Sequence, residues 1–170
     1  SVSNVTTDPS NLERINRWKC AARMVSVRPL FGFGPGTYVF QYSPFQKSDE
    51  ITLISTFAGD MGDAHSEYFS AMSESGYIGL MAWLGIVLTT LGVSFKIFYR
   101  EKPGKVRYTL LMAMLGLITY YVHAFLNNYS QYDKIAVPLW AFTALIAALR
   151  SEEHTSELQS HSDLVCRLLL

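Results

Sequence analysis

Long stretches without charged residues dominate the second half of the chain. Residues 75–95 contain no Asp, Glu, Lys or Arg over 21 positions, and residues 108–132 and 135–149 are also free of them. A helix needs about 20 apolar residues to cross a hydrocarbon core of roughly 30 Å. A soluble domain of this size seldom has two such runs. The pattern therefore predicts an all-α fold, a polytopic membrane helical bundle.

The same pattern divides the chain into parts. Residues 1–64 are polar and interrupted by Gly and Pro, which predicts a water-exposed region. Three membrane spans are predicted within residues 65–149, at about 66–98, 108–127 and 135–149. Residues 150–170 have the sequence of a translated DNA-sequencing adapter, so we expect a non-native tail fused to a truncated third span, and we expect further spans upstream of residue 1.

Basic residues predict the orientation. They cluster in the turn between the first two spans, at Arg100, Lys102, Lys105 and Arg107, whereas the loop between the second and third spans offers only Lys134. The positive-inside rule makes the basic turn cytoplasmic. Residues 1–64 and 127–134 are then expected on the outer side, which is the periplasm in a Gram-negative cell.

An amphipathic helix is predicted at about residues 11–27. Ser10 and Glu13 have the spacing of a capping box, and Pro29 is expected to stop the helix at Arg28. Apolar side chains recur at spacings of three and four, at Leu12, Ile15, Trp18, Ala22 and Val25. We expect this stripe to lie along the membrane surface or against missing spans.

Composition excludes some classes of function. The formal net charge is zero, so no electrostatic signature of a nucleic-acid partner is present. Outside the suspected tail the sequence has one cysteine, Cys20, which gives no basis for a disulfide framework. The glycine-rich stretch at residues 32–36 lacks the Lys-Ser/Thr of a phosphate-binding P-loop, and we interpret it as a tight turn.

Four short motifs occur in a fixed order up to the start of the first span. They are Arg14-x-x-x-Trp18, Pro29-Leu30 with Gly32 and Gly34, His65-Ser66, and Glu74 with Gly76 and Gly79. In this order they resemble the O-antigen ligase and O-antigen polymerase superfamily of bacterial polytopic membrane glycosyltransferases. The resemblance covers nearly all of residues 8–149, and the stretch 120–134 is similar to the end of this family in Bacteroidetes-type bacteria.

The resemblance implies a reaction and its partners. It implies metal-independent, inverting transfer of a glycan from a polyprenyl diphosphate donor to an acceptor hydroxyl, on lipid A-core or a similar acceptor. The active site would face the periplasm from the inner membrane. The implied partners are the lipid-linked donor, a lipid or glycan acceptor and membrane lipids, with no cofactor.

The resemblance also assigns candidate residues. Arg14 matches the family's functional arginine and Arg17 lies one turn further on; a guanidinium suits a diphosphate because it binds phosphate oxygens in a bidentate fork. His65 is the expected catalytic residue, because a neutral imidazole can take the proton of a sugar hydroxyl. Arg28 and Glu74 are candidate supporting residues. Alternatively, the arginines face solvent or lipid headgroups, and His65 caps a helix. Glu74 could instead form hydrogen bonds with a neighbouring segment or interact favourably with the dipole at the helix N-terminus.

Other functions compete with this interpretation. A polymerase of the same superfamily would join repeat units instead of ligating them, and the sequence does not separate the two. A transporter would be expected to carry ionisable or broken-helix features near mid-membrane, which the predicted spans lack at their centres. A membrane anchor with an interaction domain would not require the ordered Arg, Gly and His motifs.

Overall fold

The computed structural model describes residues 8–57 and 62–168, with side chains up to residue 152. Every regular element in these ranges is helical, which confirms the all-α prediction. The α-helices are α1 (Pro9–Val27), α2 (Tyr38–Gln41), α3 (Glu67–Arg100), α4 (Lys105–His123) and α5 (Asp133–Leu168), and a 3₁₀ turn occupies Ser43–Phe45.

Two of these helices are long and apolar enough to cross a membrane by length and composition. They are α3 over Glu67–Arg100 and the Asp133–Glu152 part of α5. Helix α4, at the position of the middle predicted span, does not meet the same criteria of length and apolar composition. The two helices agree with the predicted membrane fold, while the three-span topology and its orientation stay predictions.

The described residues form two compact units. The first contains the chain up to Ile86 together with Tyr121–Tyr132, and the second contains Val87–Tyr120 and the chain from Asp133 onward. All the candidate site residues lie in the first unit. In the second unit, the basic turn is held by Arg107, whose guanidinium lies 4.3 Å from the centre of the Phe98 ring and donates to the Glu101 carbonyl.

Helix α1 begins differently from the prediction and ends as predicted. Its N-cap is Asp8, whose Oδ1 accepts a hydrogen bond of 2.8 Å from the Ser10 N–H, and Pro9 occupies the first turn. The capping box prediction for Ser10 and Glu13 is therefore wrong, because the Glu13 carboxylate is used elsewhere in the fold. The helix ends at Val27, since Pro29 disfavours a helical Arg28.

The packed face of α1 is not its apolar stripe. Of the five stripe residues only Val25 is buried, and Leu12 and Ile15 are exposed. The buried face instead combines apolar and polar side chains, namely Glu13, Asn16, Arg17, Cys20, Ala21, Met24 and Val25. Burial of the polar members is tolerated because they have partners in the fold. Leu12, Ile15 and Ala22 of the stripe are exposed, and their contact with a membrane surface or with missing spans stays a prediction.

The core of the first unit forms between α1, α2 and the start of α3. Cys20 and Met24 of α1 pack with Tyr38 and Tyr42, and the half-buried Phe69 of α3 covers them. The Tyr38 and Tyr42 rings stack with centroids 5.2 Å apart. This core holds α1 beside the segment that leads into α3.

Helix α3 is kinked at Gly76. This residue has φ 68° and ψ −166°, a backbone conformation open only to glycine, so α3 is two helices joined at this point. The kink separates a polar first part, which packs in the unit, from the long apolar part that follows.

Candidate active site

The centre of the candidate site is a short turn just before α3. The Asp63 carboxylate oxygen Oδ1 accepts the backbone N–H of His65 at 2.7 Å and lies 3.2 Å from the His65 ring nitrogen Nδ1. His65 has φ 46°, in the left-handed region that few residues other than glycine adopt. A carboxylate can only accept, so its position at ion-pair distance from Nδ1 favours the neutral tautomer with the proton on Nδ1 and the lone pair on Nε2. The hydrogen bond from the backbone N–H to Asp63 holds the position of His65.

His65 is poised to be neutral. Burial lowers the pKa of its imidazole, the charge of Asp63 raises it, and the charges of Arg17 and Arg14 lower it again; the net pKa lies below the ordinary value. The side chain is still 40% exposed, so a ligand can reach Nε2. A neutral, accessible imidazole at physiological pH has the properties of a general base.

Arg14 lies half-buried on α1, close enough to His65 for its charge to affect the pKa of the imidazole. Within residues 8–57 and 62–152, its guanidinium makes no hydrogen bond and no ion pair. A fixed positive charge without a protein partner beside a neutral base can accept an anionic group of a ligand.

Arg17 is different, because it is 5% exposed and fully engaged. Its Nε donates to Glu13 Oε1 at 2.9 Å, its Nη1 to the Asp63 carbonyl at 3.0 Å, and its Nη2 approaches Thr56 Oγ1 at 3.4 Å. The guanidinium therefore ties α1 to the chain on both sides of residues 58–61. Through the Asp63 carbonyl it also holds the turn that carries His65.

Glu13 completes this network from the same face of α1. Its Oε2 accepts the Thr52 hydroxyl at 2.7 Å and the Ser55 hydroxyl. Burial raises the pKa of Glu13, but the hydrogen bonds from Ser55, Thr52 and Arg17 outweigh this effect, so the net pKa lies below its ordinary value. The carboxylate stays charged and pairs with Arg17 in a buried position.

The Glu74 carboxylate binds the backbone of the glycine-rich turn and of the start of α2. Its Oε2 accepts the Gly36 N–H at 2.9 Å and its Oε1 the Tyr38 N–H at 3.1 Å. Tyr38 begins α2, so the carboxylate also lies at a helix N-terminus. The alternative in which Glu74 bonds a neighbouring segment is confirmed.

The backbone of the turn fits closely onto the kink of α3. The Gly34 N–H donates to the Glu74 carbonyl at 2.8 Å, and the Tyr77 N–H donates to the Pro29 carbonyl at 2.8 Å. A Cβ on Gly32 would overlap the Glu74 backbone, and a Cβ on Gly76 would overlap the Leu30 backbone. Two of the sequence motifs are thus one structural unit.

Arg28 lies at the far end of α1 from Arg14. Fourteen residues separate the two, which corresponds to roughly 21 Å along a helix. Its guanidinium lies 4.7 Å from the centre of the Phe33 ring. Among the described residues, neither Arg28 nor Glu74 has a hydrogen bond or ion pair with His65, Asp63 or Arg14.

A second loop packs on the start of α3. The Glu67 carboxylate accepts the Ser130 hydroxyl at 2.8 Å, and the Glu67 N–H donates to the Ala124 carbonyl at 2.9 Å. Asn128 is buried against Ser70 and, with its amide turned over, also donates to Glu67. The two regions that were predicted to share the outer side, residues 1–64 and 127–134, therefore meet at the same end of α3.

Trp18 connects α1 to this end of α3. Its ring stacks on Phe69 with centroids 5.3 Å apart and meets the edge of Phe125 at 5.6 Å. Its indole Nε1 is buried without a hydrogen-bond partner among the described residues. Because Trp18 follows Arg14 by one helical turn, this packing places Arg14 at the start of α3.

The structure brings three of the five predicted residues together. Arg17 holds the His65 turn through the Asp63 carbonyl, and the charge of Arg14 acts on His65, whereas Arg28 and Glu74 contact the glycine-rich turn and its flanks. Sequence reasoning missed Asp63 and Glu13 as members of the site. The Asp-x-His spacing and the i, i+4 spacing of Glu13 and Arg17 were signals that could have revealed them.

Comparison with known proteins supplies one match. Residues 1–84 match the family model described as O-antigen ligase. The matched range contains Arg14, Arg17, His65 and the whole glycine-rich turn with its partner Glu74. Among curated proteins and solved structures, none matches the chain significantly.

Proposed function

We propose, from the premise that this chain belongs to the O-antigen ligase superfamily, that it transfers a glycan from a polyprenyl diphosphate to an acceptor hydroxyl. The reaction inverts the anomeric centre and uses no metal or cofactor. The acceptor is lipid A-core or a similar lipid-linked glycan, and the site faces the periplasm from the inner membrane. The family match supports the general class of reaction, and the geometry around His65 supports the chemical step.

The observation that carries the proposal is the Asp63–His65 pair. A sugar hydroxyl is a weak nucleophile until a base removes its proton as the new bond forms. In our proposal His65 Nε2 takes that proton while the acceptor oxygen bonds to the anomeric carbon of the donor. The bond from that carbon to the diphosphate oxygen breaks, and the diphosphate leaves with the electron pair. The proton ends on an imidazolium that Asp63 stabilises at 3.2 Å.

The two arginines divide the remaining work. Arg14 holds the leaving diphosphate, because its guanidinium has no protein partner within the described residues and already influences His65 electrostatically. Arg17 was expected to share this role, but its three nitrogens are occupied by Glu13, Asp63 and Thr56. We therefore assign Arg17 the positioning of the His65 turn. Arg28 and Glu74 support the site only through the glycine-rich turn.

The charge of the turns supports the proposed periplasmic location. Arg107 and the neighbouring basic residues favour a cytoplasmic α3–α4 turn under the positive-inside rule. His65 precedes α3 and so lies at the opposite end of that span, where lipid-linked donors and acceptors meet outside the cell. Two apolar helices and the family match support a membrane location.

The test uses full-length protein in membranes with a polyprenyl-diphosphate-linked glycan as donor. We expect His65→Gln to lower the transfer rate by about 10²–10⁴-fold, the usual contribution of a general base. Arg14→Gln is expected to lower it by about 10²-fold, as for loss of one electrostatic stabiliser. Lys19→Gln is the matched control, because Lys19 lies on the exposed side of the same helix and pairs with Glu50.

One outcome contradicts the assigned roles, and the products test the acceptor. If His65→Gln and Arg14→Gln reach the membrane in normal amounts and transfer glycan at the rate of Lys19→Gln, the assigned roles are wrong. The products also separate ligase from polymerase: a ligase yields acceptor that carries one transferred glycan, whereas a polymerase yields a ladder of lengthened donor.

A further inference from the structure

We infer that Leu30 and Phe31, which lead into the glycine-rich turn of residues 32–36 and form its tip, insert into the boundary of the bilayer hydrocarbon in the leaflet where α3 enters. This interaction surface is separate from the transfer reaction and does not depend on it. The partner is the lipid itself, at the level of the glycerol backbone and the first methylene groups. Backbone contacts, exposure and span length carry the inference.

The first step is the position of the turn relative to α3. The Tyr77 N–H donates to the Pro29 carbonyl at 2.8 Å, and a Cβ on Gly76 would overlap the Leu30 backbone. These contacts are made by backbone atoms on both sides, so the turn cannot slide along the helix. Leu30 and Phe31 are therefore fixed at the level of Gly76 and Tyr77.

The second step is the level of Gly76 in the membrane. The charge-free run of α3 covers residues 75–95, with Glu74 before it and Lys96 after it. The 19 residues of this run after the kink, 77–95, have a helical length of roughly 29 Å, and the hydrocarbon core is about 30 Å thick. A shift of one turn in either direction would bring Glu74 or Lys96 into the core. Gly76 is therefore confined to the hydrocarbon boundary.

The third step is exposure. Leu30 is 59% exposed and Phe31 is 73% exposed, because the turn packs on α3 with its backbone and directs both side chains outward. Exposed apolar side chains also follow the kink directly, namely Tyr77, Ile78 and Met81. The backbone contacts at Gly76 and Tyr77 put the tip at the level where this exposed apolar part of α3 begins. Exposed apolar surface of this kind is typical of membrane interaction sites.

The fourth step is the charge beside the tip. Arg28 is exposed two residues before Leu30 and lies over the Phe33 ring at 4.7 Å. A basic side chain next to an aromatic and an aliphatic tip matches a lipid boundary, where cations reach the phosphates and apolar tips reach the hydrocarbon. An upstream protein segment would not require a cation at this position.

The experiment measures the depth of a fluorophore in the full-length protein. A single cysteine at Phe31→Cys, in a background whose native cysteines are replaced by serine, is labelled with NBD in vesicles of phosphatidylethanolamine and phosphatidylglycerol. Met81→Cys is the lipid-facing reference and Ser48→Cys is the water-facing reference, since both side chains are exposed. Lipids with a nitroxide near the carbonyl end of the acyl chain quench dye at the boundary.

We expect loss of fluorescence at position 31 comparable to that at position 81, and little loss at position 48. A nitroxide near the methyl end should quench position 31 less than the shallow one does. If position 31 resembles position 48 and is quenched by iodide in water, the tip lies outside the bilayer. If neither lipid nor iodide quenches it, another protein segment or a second copy covers the tip. Either result overturns the inference, and neither affects the transfer assay.

Discussion

Two regions pack against α3, one at its start and one at its kink. They differ in whether their polar side chains have hydrogen-bond partners within the protein. At the kink, Glu74 accepts two backbone N–H groups of the glycine-rich turn, and its own carbonyl accepts a third. At the start, His65 keeps one ring nitrogen accessible and Arg14 has no partner within the described residues. We call the region at the kink closed, because its polar groups are paired, and the region at the start of α3 open, because it keeps groups available to a ligand.

This difference separates support from chemistry. Partly or fully buried polar groups are normally paired inside the protein, and those of the glycine-rich turn follow this rule. A half-buried guanidinium that has no described partner, beside an imidazole kept neutral, departs from it. The Gly and Glu motifs thus build the scaffold, and in our proposal the Arg and His motifs face the substrate.

The largest effect is expected on the folding of the protein, from Gly76→Ala in the closed region. The φ of 68° and ψ of −166° cost a non-glycine residue about 1–3 kcal/mol, and the new Cβ also overlaps the Leu30 backbone. Relief requires loss of the hydrogen bond between Tyr77 and Pro29. We expect most of the variant to be aggregated or degraded, as measured by gel filtration of the detergent-extracted protein.

Gly85→Ala is the control for this substitution, since it lies in the same helix with nothing within 4 Å of its new Cβ. We expect it to extract and elute like the wild type. Equal elution of Gly76→Ala would mean that the glycine-rich turn can leave the kink without loss of the fold, and the region would not be closed.

The next largest effect is expected on the thermal stability of Arg17→Met, which tests whether Arg17 belongs to the closed or to the open region. If Arg17 is scaffold, Arg17→Met leaves the buried Glu13 carboxylate without its ion pair, which costs about 3–5 kcal/mol. A fall in thermal stability is therefore expected, and Glu13→Gln in the same chain should restore part of it. A variant of normal stability with a raised KM for the donor would instead place Arg17 among the substrate ligands.

Some of this arrangement could be predicted from the sequence. The charge-free runs indicated the membrane helices, and the ordered motifs indicated that Arg14 and His65 belong to one site. The burial of Arg17 was missed because the apolar stripe with Leu12 and Ile15 suggested that the other face of α1 would pack. Leu12 and Ile15 are instead exposed. A helical pattern reports which side chains are apolar, but partners far along the chain decide which face is buried.

The union of the glycine-rich turn with the kink was beyond sequence reasoning for a related reason. A glycine such as Gly76 can be in a helix, a bulge or a close contact, and only the approach of the Leu30 backbone decides between them. Asp63 was a different case. Its Asp-x-His spacing was visible, but the left-handed backbone at His65 that brings Oδ1 to Nδ1 was not.

A smaller effect is expected from Asp63→Asn in the open region. The amide keeps the size of the side chain but stabilises the imidazolium less, so kcat should fall about 10-fold to 100-fold, part of the 10²–10⁴ that the base contributes. The KM for the donor should not change, because Asp63 does not contact the diphosphate in this proposal. Steady-state kinetics in vesicles measure both, with the exposed Asp49→Asn as control. An unchanged kcat would remove Asp63 from the mechanism.

The smallest effect, and the sharpest test of the open region, is the pH dependence of transfer. His65 acts as a base only when neutral, so the rate falls as the pH drops through its pKa, which lies below the ordinary value. Burial lowers this pKa most, Asp63 raises it, and Arg14 lowers it. Asp63→Asn should therefore move the acid limb of kcat/KM to lower pH. Arg14→Gln should move the limb to higher pH.

Shifts of the acid limb in opposite directions would not be expected if Asp63 and Arg14 only supported the fold. Damage to the fold would lower the rate in both variants without moving the limb to lower pH in one and to higher pH in the other. Lys19→Gln removes a charge from the exposed side of α1, where Lys19 pairs with Glu50, so it should leave the limb in place. Shifts of the same sign in both variants would mean that the acid limb belongs to another group. The imidazole of His65 would then not be the base, and the open region would hold a ligand without performing the proton transfer.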